Sequence, residues 1–399
     1  MTTMSRAPAR HLRPRGDQVT QSTTAVELFF DLVYVFAVTQ LSHQILDDLS
    51  VTGALRAAFL LLVVWWAWIY TTWMANWFDP AASAAVRGVL TAVTLGSLLM
   101  AAALPEAFGE HALLFAASYV VLQVGRNTAA ALLLKRRHRL RDVFERLVVW
   151  SAASGVLWLA GATLESDQRL LLWIPALVLE LAAPVAGYWL PGRGRAATTD
   201  YDIEGTHFAE RCQVFIIIAL GESIVVTGAT ASEAGLSPTV VLCLIVAFVE
   251  TAALWWLYFG TSTEHARETL RDADDPGRLA RDAYTYAHLP IVAGIIATAV
   301  ASNLLIAAPH AAPDGIGAAM ILGGPALYLL GESLFCRRMT GEANVKRVAV
   351  AALLILLVPL AGDLSALGLG LIVASLLPAL AVWELQAPRG FRYTESKTA

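Results

Sequence analysis

The chain is a succession of long apolar runs broken by short polar connections, and nearly every run is about twenty residues long with few charges. A helix needs about 20 mostly apolar residues to cross a hydrocarbon layer of roughly 30 Å, because each backbone amide must find its partner inside the segment once water is absent. Twelve segments meet that requirement: Val26–Leu46, Ala54–Met74, Gly88–Leu104, His111–Leu134, Val143–Leu164, Leu170–Leu190, Phe208–Ala229, Thr239–Phe259, Ala283–Ala307, Ile316–Phe335, Val348–Gly362 and Leu364–Leu385. The eleventh contains Pro359 and is separated from the twelfth by little more than Gly362 and Asp363. The pattern predicts an all-α integral membrane protein of about 12 transmembrane helices.

Landmarks recur about 190 residues apart, as a duplication with small loop changes would leave them. Glu27 matches Glu210, Trp65 and Trp66 match Trp255 and Trp256, Arg87 matches Arg281, and Tyr119 matches Tyr328. The expected organisation is a tail over 1–24, a first six-helix repeat over 25–190, a linker over 191–206, a second repeat over 207–386 and a tail over 387–399. Repeats of six helices must run parallel, and the surface between them is the natural place for a pathway.

Composition agrees: 57% of the residues are apolar and 15% charged, against about 25% charged in soluble chains. The 28 basic and 32 acidic residues give a net charge of −4, so no basic surface marks a nucleic-acid partner. Position says more than the sum. Counting Lys and Arg in connections and tails puts 24 of the 28 on one side, with Arg56 and Arg169 on the other. The positive-inside rule then makes both termini cytoplasmic, as an even span count requires. The polar first 24 residues are followed by a run holding Glu27 and Asp31 and no small-residue cleavage site, so no cleavable signal peptide is expected. Cys212, Cys243 and Cys336 lie in apolar stretches and read as packing side chains, with no metal or cofactor spacing.

Charges kept inside the membrane cost roughly 2.5–3.5 kcal/mol each on insertion scales, so each needs a partner, a cavity or a changed protonation state. Glu27 and Asp31 share a face of the first helix that continues through Val35 and Val38 to Ser42, a polar mouth leading into an apolar stripe. That suits a gated pathway or, equally, a structural anchor. On the seventh helix Arg211, Phe215, Ile218 and Glu222 share a face, with Glu222 roughly 22 Å beyond His207. Glu210 and Arg211 stand near the boundary. Arg126 retains its charge and is expected to pair with an intramembrane carboxylate, the candidates being Asp31, Glu180, Glu222, Glu250 and Glu332. Glu332 repeats the LGES tetrad of Glu222, and His288, two residues before Pro290, reads as a packing histidine or a titrating one. Trp residues between Trp65 and Trp77 are expected at the interface or in packing, not in a ligand cage.

ELFFDLVYVFAVTQLSHQI from Glu27 and HFAERCQVFIIIALGES from His207 resemble the two signature regions of the bacterial low temperature requirement protein A (LtrA) family, and the likeness in helix layout covers nearly the whole chain. The resemblance implies a multi-pass protein of the bacterial inner membrane with a loose link to growth in the cold, and no particular reaction. FFDLVYVFAVTQL from Phe29 is also similar to the FSD-containing first helix of the endolysosomal potassium and proton channels, although Phe30 replaces the motif's serine and isoleucines follow Phe215 where that family has a polar pair.

The expected function is a solute or ion pathway, channel or secondary transporter, for a proton, cation or small solute. Asp31, Glu222, Glu332 and Arg126 would form its charged core, Glu27, Glu210 and Arg211 its mouth, and Ser42 and His288 further polar positions. Enzymatic action is not expected. A lipid-modifying enzyme would need more than the acidic Asp272, Asp274 and Asp275, and a non-transporting sensor or scaffold would use the charges only to fix helix register. Membrane lipids are the expected surroundings, and a homo-oligomer is compatible with them.

Overall fold

The computed structural model describes residues 11–14, 22–136, 138–197, 203–260, 269–270 and 273–386. Twelve helical segments follow one another among them. They are α1 (Ala25–Asp47), α2 (Val51–Trp77), α3 (Ala84–Ala102), α4 (Ala112–Leu133), α5 (Arg139–Ala162), α6 (Leu170–Ala182), α7 (Gly205–Ala234), α8 (Pro238–Phe259), α9 (Pro276–Ala307), α10 (Gly315–Thr340), α11 (Val345–Asp363) and α12 (Ala366–Leu385). Strands are absent from the described residues apart from isolated bridges such as Leu12 to Phe78.

Short polar residues at the boundaries start the helices. Ser50, Ser83, Ser237, Asp314 and Ser365 each accept a bond from an amide of the first turn, satisfying donors that have no partner within the helix. Glu27 reaches back to the Thr24 amide at 2.8 Å at the start of α1, and Gly341 closes α10 in the left-handed conformation.

Among the described residues ten helices are long and apolar enough to cross a membrane, and the chain is a multi-pass membrane protein. Of the twelve spans expected, α4 and α6 are the two that do not meet this measure of length and hydropathy. Ser118, Gln123, Arg126 and Asn127 make α4 too polar for that criterion, and all four side chains are buried within the protein. Helix α6 keeps 13 residues where twenty-one are predicted. It stops because Pro184 is followed by Gly187 and Tyr188 at φ values of 62° and 47°, which no helix tolerates. Helix α9 begins earlier than predicted, at Pro276, capped by Asp275, and passes through a π-helical stretch over Ala280–Tyr286. Pro359 sits in a final 3₁₀ turn of α11, Val358–Asp363.

Large apolar side chains such as Leu132, Val156, Leu171 and Leu356 stay exposed on the outside, as a lipid-facing surface requires. Inside, α1 packs on α2, α3 and α7, and α7 packs on α8 and α9. Three side-chain pairs climb α1 and α7 together: Glu27 with His207, Asp31 with Arg211, and Thr39 with Glu222. Positions that rise together on both helices mean that α1 and α7 run parallel. The landmark tryptophans differ in surroundings, for Trp65 and Trp66 are buried whereas Trp255 and Trp256 are exposed.

Helices α9 and α10 approach closely at glycines, the usual means of bringing backbones together in lipid. A Cβ on Gly294 would lie 2.4 Å from the amide nitrogen of Tyr328, and one on Gly324 2.8 Å from that of Thr298. Gly294→Ala is therefore expected to cost about 1–3 kcal/mol through forced separation of the backbones, read as a lowered unfolding temperature in detergent. Gly323, with open space around it, provides the contrast, and Gly323→Ala should leave the temperature unchanged or raise it through helix propensity.

Candidate functional site

The seam between α1 and α7 carries the densest set of buried charges. Near its N-terminal end Glu27 accepts from Arg13 at 2.9 Å and bonds His207 Nε2 at 2.8 Å. Arg13 also donates to the carbonyls of Ala75 and Phe78, so the segment before α1 is clamped onto the end of α2. Asn76 joins from α2, meeting His207 Nδ1 at 3.3 Å and the Glu204 carbonyl at 2.8 Å. One turn further, Arg211 and Asp31 form a bidentate pair at 2.5 and 2.7 Å, both side chains almost fully buried. Trp68 donates to Asp31 at 2.8 Å, and the guanidinium lies 5.8 Å from the Trp68 ring centroid.

Beyond this pair the seam is filled by buried, mostly aromatic side chains. Tyr34 and Val38 of α1, Phe215 and Ala219 of α7, and Trp65 and Trp68 of α2 are all buried, with the Phe215 ring 4.5 Å from Trp68 and 5.3 Å from Trp65. About eight residues, or roughly 12 Å of helix, separate Asp31 from Thr39. Thr39 then donates to Glu222 at 2.6 Å, with its own Oγ1 also 3.0 Å from the Val35 carbonyl. The Glu222 side chain is 1% exposed and its Oε1 has no hydrogen-bond partner among the described residues. The Ser42 hydroxyl, one turn beyond Thr39, is likewise buried and unpartnered among them.

The other predicted residues separate into distinct groups. Glu210 accepts the Thr23 amide at 3.1 Å and so holds the chain entering α1. Arg126 forms no ion pair with any of the five expected carboxylates among the described residues. Its donors go to Thr71 at 3.0 Å, the Ala67 carbonyl at 3.3 Å and Gln123. Gln123 donates to the Tyr119 hydroxyl at 2.9 Å, and Tyr119 donates to Glu180, so neutral groups stand between the two charges. In place of the expected carboxylate the guanidinium meets a hydroxyl, a backbone carbonyl and an amide oxygen, and its Nε has no hydrogen-bond partner among the described residues. Glu332 meets Arg347 at 2.6 Å, and Arg347 also pairs with Glu384 at 2.8 Å, far from the α1–α7 seam in sequence and on α10, α11 and α12. His288 is satisfied on both nitrogens, by the Ala283 carbonyl at 3.1 Å and the Tyr258 hydroxyl at 2.9 Å, and is stacked on Tyr284. Glu250 Oε1 on α8 is buried with no hydrogen-bond partner among the described residues.

Several participants escape sequence reasoning. Arg13 reads as part of a polar tail and Arg347 as a connection residue, yet both are buried. Their signal, an arginine within a turn or two of a span boundary, is shared with many solvated ones. Asp272, like Arg6, Arg267 and Arg271 and the C-terminal residues 387–399, lies outside the described residues; Asp275 caps the turn at Arg278. No cluster of metal-ligating groups occurs among the described residues.

The family model described as bacterial low temperature requirement A protein (LtrA) matches residues 22–382. An uncharacterized protein of Rhizobium meliloti (strain 1021) is 37% identical over 372 residues, covering 92% of this chain and 90% of the relative. No solved structure matches.

Removing one member of the Asp31–Arg211 pair leaves a buried charge without compensation, so Arg211→Ala should lose about 3–5 kcal/mol of stability. The paired replacement Asp31→Asn with Arg211→Gln should lose clearly less. Thermal unfolding of the purified variants measures both, and equal losses would contradict the pairing.

Proposed function

The chain belongs to the bacterial low temperature requirement A family, and on that premise we propose that it forms a gated pathway for a proton or cation, or for a solute coupled to one, along the α1–α7 seam. One observation carries this reading. Titratable groups stand at both levels of the seam, Glu27, His207, Asp31 and Arg211 at one and Glu222 at the other, with a buried aromatic plug between them. A hydrophobic constriction flanked by charge is how pathways are gated by hydration or by helix movement. Glu222 is suited to the transient site, since one carboxylate oxygen is bonded by Thr39 and the other is unengaged among the described residues.

The same reading takes the protein as twelve crossings in two parallel six-helix repeats, with the polar face of α4 buried against its neighbours and the turns after α6 completing the sixth crossing. The parallel course of α1 and α7 supports an odd number of crossings between them, the five of α2 to α6. It lies in the bacterial cytoplasmic membrane with both termini inside, on the strength of the distribution of Lys and Arg. The closed plug and the paired charges favour a secondary transporter or gated conductance over a permanently open channel. The likeness of FFDLVYVFAVTQL to proton and potassium channel helices points the same way, and the seam at Asp31 is where it falls.

Purified protein in liposomes, loaded with a pH-sensitive dye and challenged with proton and potassium gradients at several pH values and membrane potentials, tests this. Flux should exceed that of empty liposomes. Glu222→Gln should reduce it at least about tenfold, about 1.4 kcal/mol or more in the barrier, while Glu106→Gln in the connection between α3 and α4 should leave it unchanged. Absence of flux under every condition removes the proposal.

A further inference from the structure

We propose that the exchangeable ion of the α1–α7 seam is the proton, bound by Glu222 and Thr39 together, an inference that rests on the pathway read along those two helices. The geometry around Thr39 carries it. Thr39 Oγ1 lies 3.0 Å from the Val35 carbonyl and 2.6 Å from Glu222 Oε2. A threonine hydroxyl has one proton to give, and a backbone carbonyl has none. With Glu222 ionised, two acceptors compete for that single proton. With a proton on Oε2, the acid donates to Oγ1 and the hydroxyl is left to the Val35 carbonyl, so each contact holds a proton. The bond between the two side chains reverses its direction, and no heavy atom has to move.

The second oxygen agrees. Glu222 Oε1 is buried and has no hydrogen-bond partner among the described residues, which costs little for the carbonyl oxygen of a neutral acid and much for a carboxylate. An alkali cation is poorly served by the same groups. Potassium stripped of its water is held by rings of carbonyl oxygens, whereas the Glu222 carboxyl has one hydroxyl as its partner among the described residues.

The surroundings give the proton a side from which to arrive. Ser42 stands a turn beyond Thr39 with its hydroxyl buried and unpartnered among the described residues, and His43 next to it is exposed. His43 is the titratable group that bears electrostatically on Glu222. Arg211 of α7, Cys243 and Glu250 of α8, and the ionisable groups of α2, α3 and α9, the other helices packed on this pair, exert no such influence among the described residues. In the other direction the Phe215 ring closes the seam against Trp65 and Trp68. The proton therefore enters from the C-terminal ends of α1 and α7 while the plug is shut.

Infrared difference spectra between pH values, recorded on the full chain reconstituted in lipid, read this protonation without any flux. A carboxylic-acid C=O band should disappear as pH rises, and Glu222→Gln should remove it from the difference spectrum. Its midpoint should stay within about twofold in proton affinity when sodium or potassium replaces a bulky organic cation, whereas a competing cation would lower it by about one pH unit per tenfold rise in concentration. Thr39→Val loses the bond to the ionised form and should raise proton affinity at least about tenfold, and Thr39→Ser should return it to within about threefold of the unaltered protein. A band indifferent to pH, a titrating band that persists in folded Glu222→Gln, a midpoint that follows sodium or potassium, or Thr39→Val titrating as the unaltered protein does overturns the proposal. The cation series on the unaltered protein stands whether or not the variants fold. Titration without flux removes the pathway and leaves the proton site, while flux with a midpoint that follows potassium keeps the pathway and overturns the proton assignment.

Discussion

The bidentate pair of Asp31 and Arg211 joins a helix of the first half of the chain to a helix of the second, about two turns from the ends where α1 and α7 begin. Each charge alone would be expensive to bury in a membrane, and together, with a second bond from Trp68, their hydrogen-bonding is largely met. Pairing of this kind works only at one height and one rotation of each helix. It therefore sets the register of α1 against α7, brings α2 to both, and places Phe215 against Trp65 and Trp68 to close the seam. The Glu27, His207 and Arg13 cluster a turn away then fastens the preceding segment to the end of α2.

The same constraint is answered differently elsewhere. Arg347 is held between two carboxylates, Glu332 and Glu384, and ties α10, α11 and α12. Arg126 and Glu180 instead share a relay of neutral side chains, Gln123 and Tyr119. Glu222 has one hydroxyl as its partner among the described residues. These are different energetic situations: a pair held by two charges resists separation, whereas a carboxyl met by a single hydroxyl can change its occupant at small structural cost. Function is accordingly sought at Glu222, and anchoring at Arg211 and Arg347.

Helical periodicity exposed much of this in advance. The spacing of Glu27 and Asp31, the distance of Glu222 along its helix and the position of Arg211 on its face with Phe215 are all consequences of 3.6 residues per turn, and all five side chains are buried. The partner of Arg126 was not legible, because a guanidinium can be satisfied by carbonyl and amide oxygens as well as by acids, and Ala67 and Thr71 carry no charge to notice. Arg347 stands at the third residue of α11 and Arg13 in a polar tail, where arginines are commonly solvated; burial came from helices that pack over them. The tryptophans of α2 read as belt and packing residues, and Trp65, Trp66, Trp68 and Trp77 are buried in packing.

What the sequence alone determined is what depends on local composition: an all-helical membrane chain, most of its helix boundaries, and which charged residues stand inside the long apolar helices. Helix α6 marks the limit, since an apolar run through Leu190 stops being helical at Ala182 when proline and left-handed residues follow. Which acid meets which base, whether a buried carboxyl is anchored or open, and which aromatic face borders a space were decided only by tertiary structure. The physical reason is that a helix encodes the direction in which a side chain points, while the neighbour it meets there is set by the packing and relative height of another helix far away in the chain.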